Sequence, residues 1–384
     1  MGMGDINTWI PFDIFVTLLI LTGILVLLVI IVYLIKYLID NAPYAYVNAR
    51  IKSMEARLLD DYKLNELIEA GSLVEVVGFL EDTDYGRYIS ATSKDVYSIE
   101  KGLDMHLAHV YKTLAEISPD RSKKILKLFE KKYDVKNIKT ILRAKYVGLD
   151  SESTFKMLIP LGTIPENKLR ELCEAKTVEE VVNGLEGTEY SKVLSEKLSI
   201  YEESGNLISL ELALDKYILE GLWKVVGIEG FNEDIFKEFI GRMIDVENLK
   251  VILRCKGEGV SSDVILNYLL SVGYELPPWK LKELAEAESM ENIVSSLEGT
   301  EYSNIISGCL EEYEKTKSIY VFERALDNYL VELGRRLSLR QPFGVGPIIG
   351  FITSKEMEIK KLKIIIKGKI EGLSARDIRE LITT

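Results

Sequence analysis

Histidine is the residue type most often used as a general base or metal ligand, and this chain of 384 residues has only two, His106 and His109. They lie three residues apart in a segment with a helical pattern, a spacing that could bring both side chains near one metal ion. No third ligand follows at a recognisable spacing. We therefore expect no metal site here, and surface or partly buried side chains explain the pair better.

A second set of ionisable residues recurs at matching positions. Asp104, Asp215 and Asp327 each follow a leucine in the similar segments "IEKGLDMHLA", "LELALDKYIL" and "FERALDNYLV". A catalytic carboxylate is rarely needed at three sites of one chain, whereas a structural ion pair recurs whenever its domain recurs. We expect these aspartates to form ion pairs within the domains, with basic residues near Arg143 and Arg254.

Glycine-rich stretches that hold phosphates are the remaining chemical signal. The chain lacks the G-x-x-x-x-G-K-[S/T] pattern of a phosphate-binding loop. "GVGPIIG" (Gly344–Gly350) follows helical sequence and contains a proline, so we expect it to connect two helices. The net charge of −12 argues against a nucleic-acid partner. We predict no catalytic residue, no cofactor and no metal ion, and the chain is not expected to be an enzyme.

These residues lie in three copies of one unit. "LEGTEY" occurs at Leu185–Tyr190 and at Leu297–Tyr302, and "LEDTDY" occurs at Leu80–Tyr85. An aspartate-containing segment follows each phrase, and "DVKNIKTILRAK", "DVENLKVILRCK" and "EIKKLKIIIKGK" come later in the same order. The triplication predicts an N-terminal segment and three homologous domains, with the boundaries 1–40, 41–150, 151–262 and 263–384.

The repeated segments have the periodicity of helices. Leu64, Leu67 and Ile68 fall at i, i+3 and i+4, which is the spacing of one buried stripe. Ser72 and Glu75 have the spacing of a capping box that begins a second short helix. No long run alternates apolar and polar residues as a half-buried strand does. The sequence therefore predicts an all-α fold.

The repeated phrase is predicted to be a corner between two helices. Gly187 and Gly299 can adopt the left-handed conformation that ends a helix. Asp82 replaces glycine in the first copy, and aspartate is among the few residues that tolerate such a turn. Tyr190 and Tyr302 are expected to pack into the core. The phrase is repeated because the domain is repeated, and it performs no chemistry.

The N-terminus differs from the rest of the chain. Ile14–Ile35 contains 22 residues without a charge, enough for a helix of about 33 Å that crosses a membrane. The first cationic residues, Lys36, Arg50 and Lys52, follow this run, so the positive-inside rule leaves the large C-terminal part in the cytoplasm. We predict a single N-terminal span in the cell membrane.

The third copy alone carries "SLRQPFGVGPIIGFITSKEMEIKKLKIIIKGKIEGL" from Ser338. Residues that are unique to one copy are better candidates for function than residues that all copies share. A packed interdomain loop and a partner surface both fit this segment, because binding residues often lie on loops held by rigid scaffolds. The candidates for the partner surface are Gln341, Pro342, Phe343, Gly346, Pro347, Lys355 and Glu358.

From about Asn41 to the C-terminus, the chain resembles the C subunit of archaeal A-type and related V-type ATP synthases, the homologue of the d subunit of eukaryotic V-ATPases. The resemblance rests on "NAPYAYVNARIKSMEARLL", the "LEGTEY" corners, "NIKTILRAK", "NLKVILRCK" and the closing "PFGVGPIIGFITSKEMEIKKLKIIIKGK". It implies a funnel of three helical domains with pseudo-threefold symmetry and no enzyme activity. Members of this family usually lack the hydrophobic run.

The resemblance also implies the partners. Proteins of this kind sit on the membrane ring of proteolipid subunits and receive the central stalk, and thus couple the ring indirectly to the catalytic A/B head. In this chain, Ile14–Ile35 could pass through the ring. One alternative is a membrane-anchored α-solenoid adaptor, although solenoid repeats are shorter than this domain-sized unit. Another is a metal-dependent membrane-bound hydrolase, which requires His106 and His109.

Overall fold

The computed structural model describes residues 12–89, 96–227 and 234–383. These residues form α-helices with turns between them, and the described ranges contain no β-strand, which confirms the all-α prediction. The first helices are α1 (Phe12–Asn41), α2 (Ala45–Glu55), α3 (Asp61–Glu69), α4 (Leu73–Glu81), α5 (Val96–Ile117) and α6 (Asp120–Tyr146). Single 3-10 turns lie at Ala42–Tyr44 and Asp84–Arg87.

The same order of long and short helices continues along the chain. The middle part forms α7 (Ser151–Lys156), α8 (Glu166–Glu174), α9 (Val178–Gly184), α10 (Glu189–Ser204), α11 (Ile208–Val226) and α12 (Asp234–Gly257). The last part forms α13 (Ser262–Tyr268), α14 (Pro278–Glu286), α15 (Met290–Ser296), α16 (Glu301–Ser307), α17 (Leu310–Thr316), α18 (Tyr320–Arg340), α19 (Gly346–Ile370) and α20 (Ala375–Thr383).

The repeated corners largely follow the sequence pattern. The Ser72 hydroxyl accepts a hydrogen bond from the Glu75 backbone N–H, so the predicted cap of α4 is confirmed. Gly187 and Gly299 have φ angles of 84° and 85°, which confirms their left-handed conformation. The prediction for Asp82 was wrong, because its φ is −80°. The first corner therefore turns without a left-handed residue and enters a 3-10 turn instead of a helix.

Six long helices pack in a closed cycle among the described residues. In spatial order they are α19, α5, α6, α11, α12 and α18, and α18 packs against α19 again. Within this set of six, each contact joins helices that are consecutive in the chain order, except that between α19 and α5, which joins the C-terminal part to the N-terminal part. The two ends of the repeated region are thus held together by packing.

One of the two hydrophobic clusters shows how the cycle is completed. It combines Leu67 of α3, Leu80 of α4 and Leu103 of α5 with Ile365 of α19 and Ile378 of α20. These side chains are at most 1% exposed. The core around the first copy of the repeat is therefore built with residues from the end of the chain. Such contacts cross the predicted boundaries at 41–150 and 263–384, and those boundaries remain a prediction.

The helix α1 stands apart from this packing. Its apolar side chains from Ile14 to Ile39 are exposed around the whole helix, and no buried core residue belongs to it. It is long and apolar enough to cross a membrane. A helix in the core of a soluble domain would bury at least one face. The alternative of a buried core helix therefore does not apply to α1.

The shared cluster predicts long-range coupling between the ends of the chain. Replacing Ile365, which is fully buried, with alanine should lower the free energy of unfolding by about 2–5 kcal/mol, because a cavity forms in the cluster. Hydrogen–deuterium exchange should also become faster in α3, α4 and α5, far away in sequence. Ile370→Ala, at a side chain that is 43% exposed, is the matched control. Unchanged exchange in α3–α5 would contradict the coupling.

Candidate partner interface

The predicted partner residues fall into an exposed group and a buried group. Gln341 ends α18 and is half-buried, whereas Pro342 is exposed and the Phe343 side chain is 66% exposed. The Asn48 side-chain amide of α2 donates to the Gly344 carbonyl oxygen at 3.1 Å. This bond fixes the turn between α18 and α19 against the N-terminal part of the chain. An exposed aromatic side chain on a fixed turn can contact a partner.

The other candidates lie inside the protein. Gly346 and Pro347 are buried in the first turn of α19. Lys355 and Glu358 are 4% and 5% exposed, and the Lys355 ammonium donates to Glu358 Oε1 at 2.7 Å. Burial leaves these four residues no surface to offer a partner. The prediction of a partner face therefore depends on residues 341–343.

Glu358 instead joins the two ends of the chain. Its carboxylate accepts hydrogen bonds from the Leu59 backbone N–H at 2.6 Å and from the Tyr85 hydroxyl. The Lys355 ammonium lies 4.5 Å from the centroid of the Tyr85 ring, so the carboxylate, the cation and the aromatic ring form one buried cluster. A buried carboxylate requires such partners, because removing a charge from water is costly.

The same bond recurs in the other copies. The Tyr190 hydroxyl donates to Asp134 of α6 at 3.0 Å, and the Tyr302 hydroxyl donates to Asp245 of α12 at 2.9 Å. Asp134, Asp245 and Glu358 begin the three aligned segments "DVKNIKTILRAK", "DVENLKVILRCK" and "EIKKLKIIIKGK". Each corner tyrosine thus bonds the long helix that precedes it around the cycle, and the first tyrosine bonds the last helix.

Backbone N–H donors contribute to all three of these sites. Asp245 accepts from the Glu275 N–H at 2.7 Å, and a Cβ added to Gly273 would lie 2.0 Å from its Oδ1. Only glycine allows the loop to approach so closely. Burial raises the pKa of Asp245 to about 6, although the Glu275 N–H and the Tyr302 hydroxyl act in the opposite direction. Burial, followed by the charge of Asp245, raises the pKa of Tyr302, which therefore stays a protonated donor.

The expectation that the repeated aspartates pair within the domains was wrong for the recurring pairs, because each of these crosses a predicted domain boundary. The three aspartates do form ion pairs. Their partners are lysines one helical turn before Arg143 and Arg254, and the lysine at the corresponding place in α19. The pairs are Lys139–Asp215 at 2.7 Å, Lys250–Asp327 at 2.5 Å and Lys363–Asp104 at 2.6 Å. Asp104 also pairs with Lys136, and Asp327 also pairs with Lys360. These two aspartates therefore bridge two long helices each.

A parallel set of ion pairs runs one turn further along the helices. The equivalent basic residues of α6, α12 and α19 bind glutamates that precede the repeated aspartates by four residues. The pairs are Arg143–Glu211 at 2.6 Å, Arg254–Glu323, and Lys367–Glu100 at 3.2 Å. The basic residues are more than half exposed, so each pair contributes little alone. Because equivalent positions pair in each case, α19 packs against α5 in the same register as α6 packs against α11.

His106 and His109 do not form a metal centre in the described part of the chain. No group of three or more His, Cys, Asp or Glu side chains suited to a metal ion occurs among the described residues. His106 is buried against the Tyr85 ring, with the ring centroids 4.5 Å apart, and His109 is exposed. The two histidines line a cavity together with several cationic side chains.

Comparison with known proteins identifies the family. A sequence model of the ATP synthase (C/AC39) subunit family matches residues 47–381. The chain belongs to this family. The C subunit of the A-type ATP synthase of Methanocaldococcus jannaschii is 59% identical over 356 residues, which cover 92% of this chain and 89% of the relative. The family assignment makes this chain a non-catalytic component of an ATP synthase complex.

More distant relatives cover the chain almost as fully. The corresponding A-type ATP synthase protein of Methanothermobacter thermautotrophicus is 40% identical over 96% of this chain and 95% of its own length. That of Pyrococcus horikoshii is 34% identical over 88% and 90% of the two chains. The match to the Methanothermobacter protein leaves 4% of this chain uncovered, which is fewer residues than Ile14–Ile35 contains. The region that aligns with this relative in the C/AC39 family therefore includes at least part of Ile14–Ile35.

Sequence reasoning did not find the buried bonds that join the copies. The signal was present, because both the corner tyrosines and the acidic residues that accept from them recur in all three copies. The tyrosines were placed in the core because of their aromatic rings, and a partner for their hydroxyl groups was not considered. The partner of Tyr85 lies 273 residues later in the chain, and spacing cannot reveal such a pair.

The ion pairs predict opposite pH behaviour for two equivalent aspartates of this ATP synthase component. Burial disfavours the Asp327 carboxylate, yet Lys250 and Lys360 outweigh burial and lower its pKa. Partial burial, together with the nearby Glu247, raises the pKa of Asp215 in spite of Lys139. The stabilisation by Asp327 is therefore present above its unfolded-state pKa and is lost as the pH falls through its folded-state pKa.

Urea unfolding of two matched variants tests this difference. At pH 7, Asp327→Asn should reduce the free energy of unfolding by roughly 1–3 kcal/mol, because charged hydrogen bonds to two lysines are lost. Asp215→Asn should cost less than about 1 kcal/mol, because this side chain is half exposed and has one lysine partner. The cost of Asp327→Asn should shrink below about pH 4. Equal costs at both sites would contradict the assignment.

Proposed function

We propose that the chain is the central-rotor socket of an A/V-type rotary ATPase. In this role it links the membrane proteolipid ring to the central stalk and transmits torque for ATP synthesis or ion pumping. The closed cycle of six long helices carries the proposal. A part that transmits torque must resist twisting, and a cycle in which every helix has two long neighbours is stiffer than an open stack.

The bonds between the copies support the same role. The tyrosine–carboxylate bond and the lysine–aspartate pair both recur three times around the cycle, including across the junction between the ends of the chain. A funnel of three helical domains with pseudo-threefold symmetry is the architecture we propose for these contacts. Such a funnel presents one wide and one narrow face, which suits a part placed between a ring and a stalk.

The alternative of a helical-repeat adaptor is less well supported. Solenoid repeats contact only their neighbours, and their first and last repeats have no contact with each other. Here Ile365 and Ile378, near the C-terminus, share a core with Leu67 and Leu80. The proposed socket and an open adaptor therefore differ in whether the first and last copies are in contact, and here they share a core.

Residues 341–343 are the proposed contact with the central stalk. They lie on an exposed turn that Asn48 anchors to α2. The turn presents Phe343, and aromatic side chains contribute strongly to protein interfaces. The proteolipid ring is the second proposed partner, and the catalytic A/B head is coupled through the stalk.

We further propose that α1 spans the cell membrane once and leaves the remainder in the cytoplasm. The 30 residues of α1 extend about 45 Å, more than the hydrocarbon core of a bilayer. The cationic residues that follow the charge-free run favour this orientation. The span could pass through the centre of the proteolipid ring, as the direct connection of α1 to the first 3-10 turn and α2 allows.

Affinity purification tests the socket. A C-terminal tag should recover the proteolipid ring, the stalk proteins and the catalytic head from gently solubilised native membranes, together with ATP hydrolysis. Mass spectrometry of the eluate identifies them. An eluate that lacks the ring and the stalk, while the intact complex is present elsewhere in the preparation, would favour the adaptor.

A pair of charge insertions tests the stalk contact. Phe343→Asp should reduce recovery of the stalk proteins at least tenfold, because a hot-spot aromatic is worth about 2 kcal/mol or more. Val147→Asp is the matched control, at an apolar side chain that is 74% exposed at the end of α6. Both variants should keep the thermal stability of the parent. Equal recovery with both variants would remove Phe343 from the interface.

A further inference from the structure

A cavity of about 400 Å³ lies between α2, α5, α19 and the 3-10 turn Asp84–Arg87. Its polar lining is mostly cationic, although the whole chain carries a net charge of −12. The charged and histidine side chains that line it are Arg50, Arg57, Arg87, Lys355, His106, His109 and Asp84. With neutral histidines, four cations face one carboxylate. This is the reverse of the balance in the chain as a whole.

The cations are only partly neutralised. Arg57 pairs with Asp84 at 3.0 Å, and Lys355 pairs with Glu358. Arg50 and Arg87 have no ion-pair partner among the described residues, and both are exposed. Arginine presents a planar set of donors that matches the oxygens of phosphate. Two arginines at one cavity, both without an ion-pair partner in the described ranges, therefore favour a phosphate group as its ligand.

The other two copies hold a carboxylate at the corresponding place. Glu189 accepts from the Lys131 ammonium and from the Tyr217 hydroxyl at 2.6 Å. Glu301 accepts in the same way from Tyr329 at 3.0 Å and also pairs with Arg242. In both copies a glutamate therefore lies between a cationic side chain of a long helix and a tyrosine. This tyrosine follows the repeated aspartate by two positions.

The first copy has a different set of residues at these positions. The shorter Asp84 replaces glutamate, Lys355 stands for Lys131, and His106 stands for Tyr217. Asp84 bonds Arg57, and neither ring nitrogen of His106 has a hydrogen-bond partner in the part of the chain that the structure describes. His106 is 6% exposed. A buried polar ring without a hydrogen-bond partner is costly. An anion in the cavity would take the place beside His106 that Glu189 and Glu301 take beside the equivalent tyrosines.

We propose that this cavity binds a phosphate group, held by Arg50, Arg57 and Arg87 above His106. The surroundings already tune His106 for such a ligand. Burial, followed by the charges of Lys355, His109 and Arg57, lowers its pKa to about 3, so the ring is neutral at pH 7. A bound phosphate offsets those cations and should raise this pKa. The site is independent of the proposed rotor role.

The position of the cavity favours a soluble phosphate over a lipid headgroup. Arg50 lies 14 residues after Lys36, and the end of α1, the 3-10 turn and the start of α2 between them extend about 21 Å at a helical rise of roughly 1.5 Å per residue. The headgroup layer extends only about 5–8 Å beyond the hydrocarbon core on each side. The volume of the cavity lies within the range of small-molecule sites.

Histidine NMR on the full-length chain tests the proposal directly, because the chain has only two histidines. With histidine labelled and the protein in uncharged detergent, inorganic phosphate or pyrophosphate should shift the His106 signal saturably. Arg50→Gln and Arg87→Gln should weaken this binding roughly tenfold to a hundredfold, since each removes a charged hydrogen bond. Lys52→Gln removes the same charge from the same helix outside the cavity, and should leave the affinity unchanged.

A second variant places a longer carboxylate of the protein itself in the proposed phosphate site. Asp84→Glu restores the glutamate of the other copies, so its carboxylate should compete with phosphate and weaken binding at least tenfold while thermal stability is kept or increased. His106→Tyr in the same chain should strengthen the effect, with phosphate binding then followed through the signal of His109, which also lines the cavity. Phosphate affinity unchanged by Asp84→Glu in a folded protein would overturn the proposed position of the ligand.

The source of the phosphate is decided by nanodiscs with and without phosphatidylglycerol. A His106 shift that appears only in the anionic discs supports the phosphate site and assigns it to a lipid headgroup. Equal shifts of both histidines that Arg50→Gln and Arg87→Gln leave unchanged would reflect ionic strength and overturn the site. A shift that appears only in the assembled complex, with no response to phosphate, would overturn it in favour of a partner carboxylate.

Discussion

The hydrogen bond between a corner tyrosine and a buried carboxylate is the interaction on which the rest of the structure depends. Asp134 and Asp245 hold the loops and corners of the second and third copies against α6 and α12, and Glu358 does the same for the first copy from α19. A buried carboxylate without these donors is strongly unfavourable, so the bond selects one register between each long helix and the next corner. That register places the lysine–aspartate and arginine–glutamate pairs within reach.

The closure of the chain follows from this register. Because α19 supplies the acid for the first corner, the N-terminal helices have a complete core only when the C-terminal helix is in place. Local interactions alone do not make the first copy a complete unit. The same arrangement connects the hydrophobic helix α1, through α2 and Asn48, to the turn at residues 341–343. The proposed membrane span and the proposed stalk contact would thereby be connected through packed helices, as the proposed rotor role requires.

Where the copies diverge, the chain gains chemistry that the common fold does not need. Two copies satisfy the site between the long helix and the aromatic residue with their own glutamates, Glu189 and Glu301. The first copy has a shorter acid and a histidine there, beside three arginines of the cavity. The second and third copies therefore serve as a reference for the first copy. A residue that differs from them while the packing is kept is available to bind a ligand.

The sequence by itself determined the helices, the caps, the glycine corners at Gly187 and Gly299 and the hydrophobic run, because local periodicity and short-range spacing encode them. It also carried the family resemblance, which the comparisons confirmed. It did not determine which helix meets which corner or which lysine pairs with each repeated aspartate, and it suggested a left-handed Asp82 and a partner surface that includes the buried Lys355 and Glu358. Only the tertiary structure decided these points, because the contacts of Tyr85 with Glu358 and of Leu67 with the α19 cluster join residues roughly 300 positions apart, at which distance spacing carries no information.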